Sequence, residues 1–261
     1  MEKALVNGIQ MAYEDRGEGE VVVLLHGFCG SSDYWDAVTT ALLGEYRCIV
    51  PDLRGHGSTD APLGAYTVEQ MAEDVAELLL HLEVARYTVL GHSMGGYVTL
   101  ALAERYPERL SGFGLIHSTA YPDSDAAKEK RLQAVAAVQS GVVEFIDQLV
   151  PGLFAEQNRH KSSMKHAIDT ARQIGYQTPP QGVAGAALAM RERPDRRELL
   201  STADVPVLLL AGEDDSVVPQ DRVFTTEGEH ITRSVIQGAG HMSMYEAPEL
   251  LTTEILRFLH H

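Results

Sequence analysis

The sequence predicts an α/β fold: a mostly parallel sheet covered on both faces by helices, with a helical segment inserted late in the chain. Three observations carry this. Short apolar runs alternate with helical patterns along most of the 261 residues. The runs are apolar without interruption, as in Val21-Val22-Val23-Leu24-Leu25, which suits a strand buried on both faces. One stretch, 118–194, breaks the alternation with helical patterning and no convincing strand.

Taken in order, strand-like runs lie at 21–25, 48–50, 87–90, 113–116, 207–210 and 233–236. The clearest helix spans 67–82. Thr67 and Gln70 have the spacing of a capping box, in which each side chain satisfies the other's backbone N–H. Met71, Val75, Leu78, Leu79 and Leu82 then recur on one face. Glu69, Glu73, Asp74 and Glu77 read as a solvated face. A helix from Gly96 to Tyr106 is stopped by Pro107. In the inserted stretch, 126–140, 142–150, 158–174 and 182–190 read as helices. Pro248 opens a last helix, 248–259, where its missing N–H is harmless. The expected division is a core of 1–117 and 195–261 with a helical cap of 118–194.

Composition excludes several functions. The net charge is −16, which disfavours nucleic acid and anionic membranes as partners. No run of 18 apolar residues is present to span a membrane, and the N-terminal residues lack the apolar core of a signal peptide. Cys29 and Cys48 are too few for a disulfide scaffold in a chain of this length and read as free thiols, so a cytoplasmic location is expected. No His/Cys/carboxylate cluster has metal-site spacing, and no cofactor is implied. His160 and His166 are six apart and do not share a helix face. Gly27–Gly30 lacks the Gly-Lys-Ser/Thr ending of a phosphate loop.

The chemistry centres on Gly91-His92-Ser93-Met94-Gly95. A Gly-x-Ser-x-Gly between strand and helix makes a turn so sharp that the serine Oγ is pushed out above the sheet. Composition alone would supply the pattern in about one such chain in ten, so context decides. Ligands of open parallel sheets bind at the carboxyl ends of the strands. There the sequence places His26-Gly27-Phe28 after the 21–25 run, Ser93 after 87–90, Asp214-Asp215 after 207–210 and His241 after 233–236. A serine, an acid and a histidine each follow a different strand and should meet at one sheet edge.

The order Ser, Asp, His resembles the α/β-hydrolase superfamily. The resemblance extends over nearly the whole chain through His26-Gly27-Phe28, Pro51-Asp52-Leu53-Arg54-Gly55-His56-Gly57-Ser58, the Ser93 pentapeptide and Gly240-His241. Within the superfamily the chain looks like the cap-bearing, cofactor-free branch that includes enol-lactonases, small carboxylesterases and C–C bond hydrolases, to which Met190-Arg191-Glu192-Arg193-Pro194-Asp195 is also similar. The resemblance implies Ser93 as nucleophile, His241 as general base and Asp215 as the acid that orients it; family spacing favours Asp215 over Asp214. It implies an oxyanion hole from the backbone N–H groups of Phe28 and Met94. His117, after the 113–116 run, and Trp35 are candidate substrate contacts, each with a packing role as the alternative. His26, His56 and His92 read as structural hydrogen-bonders, and Asp52 and Arg54 as loop supports. The expected partner is a small ester or lactone. C–C bond hydrolysis or perhydrolysis would use the same residues, and a ligand receptor would use the same fold. Epoxide or haloalkane opening is disfavoured, because those relatives carry aspartate at the elbow. Oligomeric state stays open.

Overall fold

The computed structural model describes residues 1–260. Its strands are β1 (Glu2–Val6), β2 (Ile9–Arg16), β3 (Glu20–Leu25), β4 (Tyr46–Pro51), β5 (Tyr87–His92), β6 (Leu110–Ile116), β7 (Val207–Gly212) and β8 (Ile231–Ile236). They form one sheet in the order β1-β2-β4-β3-β5-β6-β7-β8. The six strands from β4 to β8 run parallel, while β1 and β2 add an antiparallel edge. All six runs expected from sequence fall inside strands. The α/β-hydrolase-type sheet that the resemblance implied is therefore present.

The sequence reading had no strand before residue 20, and the reason for β1 and β2 is local. Asn7 and Gly8 both take positive φ, 43° and 80°, and Val6 pairs directly with Ile9. A two-residue loop with two left-handed residues is the turn whose twist matches that of a hairpin. The alternation is there too: Ala4, Val6, Ile9 and Met11 are buried, Leu5 and Gln10 exposed.

The continuous apolar runs arise because the sheet is covered on both sides. Along β7, Val207, Leu209 and Ala211 pack into one core, while Leu208 and Leu210 pack into the other. The first core is closed by α2 (Val68–His81) and α3 (Met94–Arg105), the second by α1 (Asp36–Leu42) and α12 (Pro248–Leu259). Thr67 caps α2 by accepting from the Gln70 N–H at 3.0 Å. The reciprocal Gln70 side-chain bond is not formed among the described residues, so only half of the expected box exists. The charged face of α2 also differs from expectation. Asp74 is fully buried and takes a bidentate pair from Arg54 at 2.7 and 2.8 Å. Burial of one charge here is compensated by the other.

Between β6 and β7 lie α4 (Asp125–Ser140), α5 (Val142–Leu149), α6 (Glu156–Arg159), α7 (Lys165–Tyr176), α8 (Pro180–Glu192) and α9 (Arg197–Thr202). The helix expected over 158–174 is broken. Asn158 instead bonds the Gly238 carbonyl at 2.9 Å and Glu246 at 2.8 Å. These tertiary bonds hold the short α6 against the β8 side of the molecule and override helix continuation. The two ends of the inserted stretch are joined by a buried ion pair, Arg193 Nη1 to Asp123 Oδ1 at 2.6 Å. The remaining helices are α10 (Gln220–Val223) and α11 (Ser243–Glu246).

Candidate active site

The site is built from the loops leaving the carboxyl ends of the parallel strands. After β5 the chain reverses at Ser93, with φ 51° and ψ −113°. A non-glycine residue in such a conformation is strained, and strain of this kind persists only where its surroundings enforce it. The surroundings are glycines. A Cβ on Gly91 would lie 2.2 Å from the Gly95 carbonyl oxygen, and one on Gly95 would lie 2.4 Å from that of Leu25. Cys29 and His117, at the ends of β3 and β6, are also left-handed, with φ 57° and 49°. Three strained residues thus gather at one sheet edge.

Ser93 precedes α3, so the Met94 N–H is among the first of that helix and has no intrahelical acceptor. After β3 a tight turn closes through Gly30 N–H to the Gly27 carbonyl at 3.1 Å, with Phe28 at its first central position. A turn of this kind leaves that position's N–H outside its own hydrogen bond.

Asp215 follows β7 and is buried, whereas its neighbour Asp214 is exposed and accepts from Gln157 at 2.7 Å. Asp215 Oδ2 accepts from His241 Nδ1–H at 2.8 Å. The same oxygen accepts from His117 Nδ1–H at 3.1 Å. Oδ1 accepts the backbone N–H groups of Val217 and Val218 at 2.8 and 2.9 Å. Burial alone would raise the Asp215 pKa; His241 and the hydrogen bonds from His117 and His241 outweigh it and hold the carboxyl well below the usual carboxylate range. His117 is itself completed by Ser243, whose hydroxyl donates to Nε2 at 2.7 Å. Burial lowers the His117 pKa, with Asp215 opposing, so the ring is neutral and donates through Nδ1. His117, Asp215 and His241 also form the one group of three His, Cys or carboxylate side chains among the described residues whose ligand-type atoms lie within 4.8 Å of one another.

Ser93 and His241 line one cavity of about 410 Å³, together with Phe28, Tyr34 and His92. Its volume falls in the range of small-molecule sites, ~300–1,000 Å³. Two sequence candidates stand elsewhere. His117 is absent from the cavity wall and lies behind the acid. Trp35 is fully buried in the core beside α1, and its neighbour Tyr34 takes the wall position. The reason is helical geometry: Trp35 ends the turn that leads into α1, and its side chain faces the sheet.

His26, His56 and His92 hold loops. His26 donates to the Gly27 carbonyl at 2.8 Å and accepts from Leu53 N–H at 2.9 Å. His56 meets the Arg54 carbonyl at 3.0 Å. His92 donates to the His241 carbonyl at 2.8 Å, so the residue before Ser93 pins the loop that carries His241. Asp52 accepts the N–H groups of Ser32 and Ser58, both at 2.8 Å. Cys29 and Cys48 are free and buried; burial pushes the Cys29 thiol far up and Cys48 to about 11, which leaves neither as a ready thiolate.

Several residues escaped the sequence reading. Glu246 accepts from Ala155 N–H and Asn158 with one oxygen and from Gly240 N–H with the other, at 2.8, 2.8 and 2.9 Å. It joins the inserted stretch to the His241 loop. Arg131 and Arg222 line the cavity together with Arg193 of the 190–195 segment. No sequence spacing announces them, because they converge from α4, from beyond α8 and from α10.

A family profile described as alpha/beta hydrolase fold matches residues 20–248. Among solved structures, a thermophilic esterase from Thermogutta terrifontis, malate bound, is similar at 36% identity and TM-score 0.93, covering 99% of this chain and 97% of the other. The enol-lactonase from Burkholderia xenovorans is similar at 27% identity and TM-score 0.90, with full coverage of both chains at 100%. A 2-(acetamidomethylene)succinate hydrolase from Mesorhizobium japonicum is 25% identical over 97% of this chain and 93% of its own. The chain belongs to the α/β-hydrolase family. No helix among the described residues is long and apolar enough to cross a membrane.

Proposed function

We propose that this α/β-hydrolase family member is a serine hydrolase that cleaves a small carboxylic ester or lactone through an acyl-enzyme on Ser93. The observation that carries the reading is the Asp215–His241 hydrogen bond of 2.8 Å, with His241 and the strained Ser93 facing the same cavity. The similarity to an esterase and an enol-lactonase supports the substrate class.

In the proposed reaction the Ser93 hydroxyl attacks the substrate carbonyl carbon. His241 takes the hydroxyl proton and returns it to the leaving alcohol, or to the ring oxygen of a lactone. Asp215 fixes His241 with Nδ1 protonated, which leaves Nε2 as the base, and stabilises the imidazolium that forms. The oxygen that gains negative charge is received by the N–H groups of Phe28 and Met94, each such donor being worth about 3–4 kcal/mol in the transition state. Water, activated by the same histidine, then releases the acid. No step is assigned to a metal or cofactor. Residues 118–194 act as a lid, since Ala127, Leu149, Leu153 and Met190 contribute wall to the cavity over Ser93.

Turnover of p-nitrophenyl esters tests this. Wild type should show multiple turnovers on acetate or butyrate esters, and Ser93→Ala should lose on the order of 10⁶ in kcat. A wild type inert toward a broad ester and lactone panel, or a Ser93→Ala protein as active as wild type, overturns the reading.

A further inference from the structure

We propose that the cavity takes an acyl substrate bearing a second, anionic group, a carboxylate held by Arg222 and Lys130. The proposal rests on the hydrolase reading above and names its substrate class.

The chain as a whole carries 37 acidic and 21 basic residues, yet the cavity wall reverses that balance. Lys130, Arg131, Arg193 and Arg222 line it against one carboxylate, Asp123. Asp123 is already shared. Its Oδ1 meets Arg193 at 2.6 Å and its Oδ2 meets Arg131 at 3.0 Å. Arg193 is satisfied further by the Tyr121 and Met190 carbonyls and lies over the Tyr97 ring at 3.9 Å; its work is structural.

Arg222 and Lys130 differ. Among the described residues neither makes a side-chain hydrogen bond or an ion pair. The neighbouring acids Asp221 and Glu129 are exposed and form no part of the wall. Arg222 is nonetheless held in place. Its guanidinium carbon sits 3.8 Å from the centre of the Tyr121 ring, and its carbonyl accepts from the Thr119 hydroxyl at 2.7 Å. Stacking fixes the plane of the guanidinium and leaves its N–H edge free. That edge matches a carboxylate in a bidentate pair, while a lysine nearby adds a mobile point charge. Three net positive charges around a small cavity also attract an anion before it docks, in a protein whose remaining surface repels it.

The experiment compares p-nitrophenyl butyrate with mono-p-nitrophenyl glutarate, whose acyl chains differ chiefly in the terminal carboxylate. Wild type should favour the glutarate ester in kcat/KM by about tenfold, the scale of one charged hydrogen-bonding contact. The preference should shrink at high salt. Arg222→Gln should cut the ratio about tenfold and Lys130→Gln severalfold. Lys130 is exposed on α4, so its variant tests the idea even if loss of the Tyr121 stack harms folding. A ratio at or below one in wild type, or a ratio untouched by both variants, overturns the anionic subsite and leaves the hydrolase reading standing. If neither ester is turned over, the hydrolase reading is decided by the wider ester and lactone panel. Calorimetric titration of wild type and Arg222→Gln with glutarate then decides the subsite: weaker binding to the variant supports it, and absent or equal binding overturns it.

Discussion

Asp215 accepts four hydrogen bonds, two from histidine rings and two from the backbone. That count makes His117 a positioning residue: it never reaches the cavity, but it shares the oxygen that His241 uses. Removing its N–H leaves Oδ2 held by His241 alone and loosens the alignment of His241. The expected outcome for His117→Ala is a fall in kcat of about tenfold, the effect of one hydrogen bond to a charged group, with KM unchanged. His117→Gln keeps an N–H donor and should recover most of the rate. Steady-state kinetics on a p-nitrophenyl ester separate this from a packing role, which would change melting temperature without the split between kcat and KM. At this scale family spacing favours Asp215 over Asp214 as the proposed acid, but nothing in the sequence marks His117 as its hydrogen-bond partner. The pairing spans 98 positions.

Among the elements, the β1–β2 hairpin and the Ser93 turn are both built on left-handed backbone, with different consequences. A Cβ on Gly8 would meet nothing within 4 Å, although φ there is +80°. Gly8→Ala is therefore a nearly pure conformational test. It should cost about 1 kcal/mol, the penalty of a left-handed alanine, measured by urea unfolding with activity retained. A change near zero would mean that the hairpin backbone relaxes. At Gly91 and Gly95 the same substitution meets carbonyl oxygens at 2.2 and 2.4 Å, and neither glycine has a positive φ, so there the requirement is space alone. Asn7-Gly8 between alternating apolar residues is a hairpin signal in the sequence, although the runs beside it are short and flanked by charged residues.

Across the whole molecule, four histidines are buried and neutral. Burial pushes His26 down to about 4 and His56 to about 3. His92 is lowered by burial and by His241 and His117, and His117 by burial against the pull of Asp215. Each folded pKa lies below the unfolded value, so between the two values the unfolded chain binds more protons. Stability from these groups is fully present above about pH 6.5 and is lost as pH falls toward their folded values, by up to about 1.4 kcal/mol per unit for each group. Asp215 contributes in a separate window, losing its share only below the ordinary aspartate range. Urea unfolding at neutral pH and at about pH 4.5 should differ by several kcal/mol; equal free energies at the two values would contradict the neutral state of these rings.

The sequence by itself determined the six parallel strands, because continuous apolar runs and capped helices are local patterns, and each is fixed by residues a few positions apart. It also determined the Ser93 turn, since only glycine tolerates the approach of the Gly95 and Leu25 carbonyls. Tertiary structure alone decided that Asp74 is buried against Arg54, that Tyr34 rather than Trp35 faces the cavity, and that α6 breaks where Asn158 reaches Glu246. It likewise decided the charge of the cavity, where cations from α4 and α10 converge. These features depend on which distant side chains share a volume, and that is set by packing between elements and not by spacing along the chain.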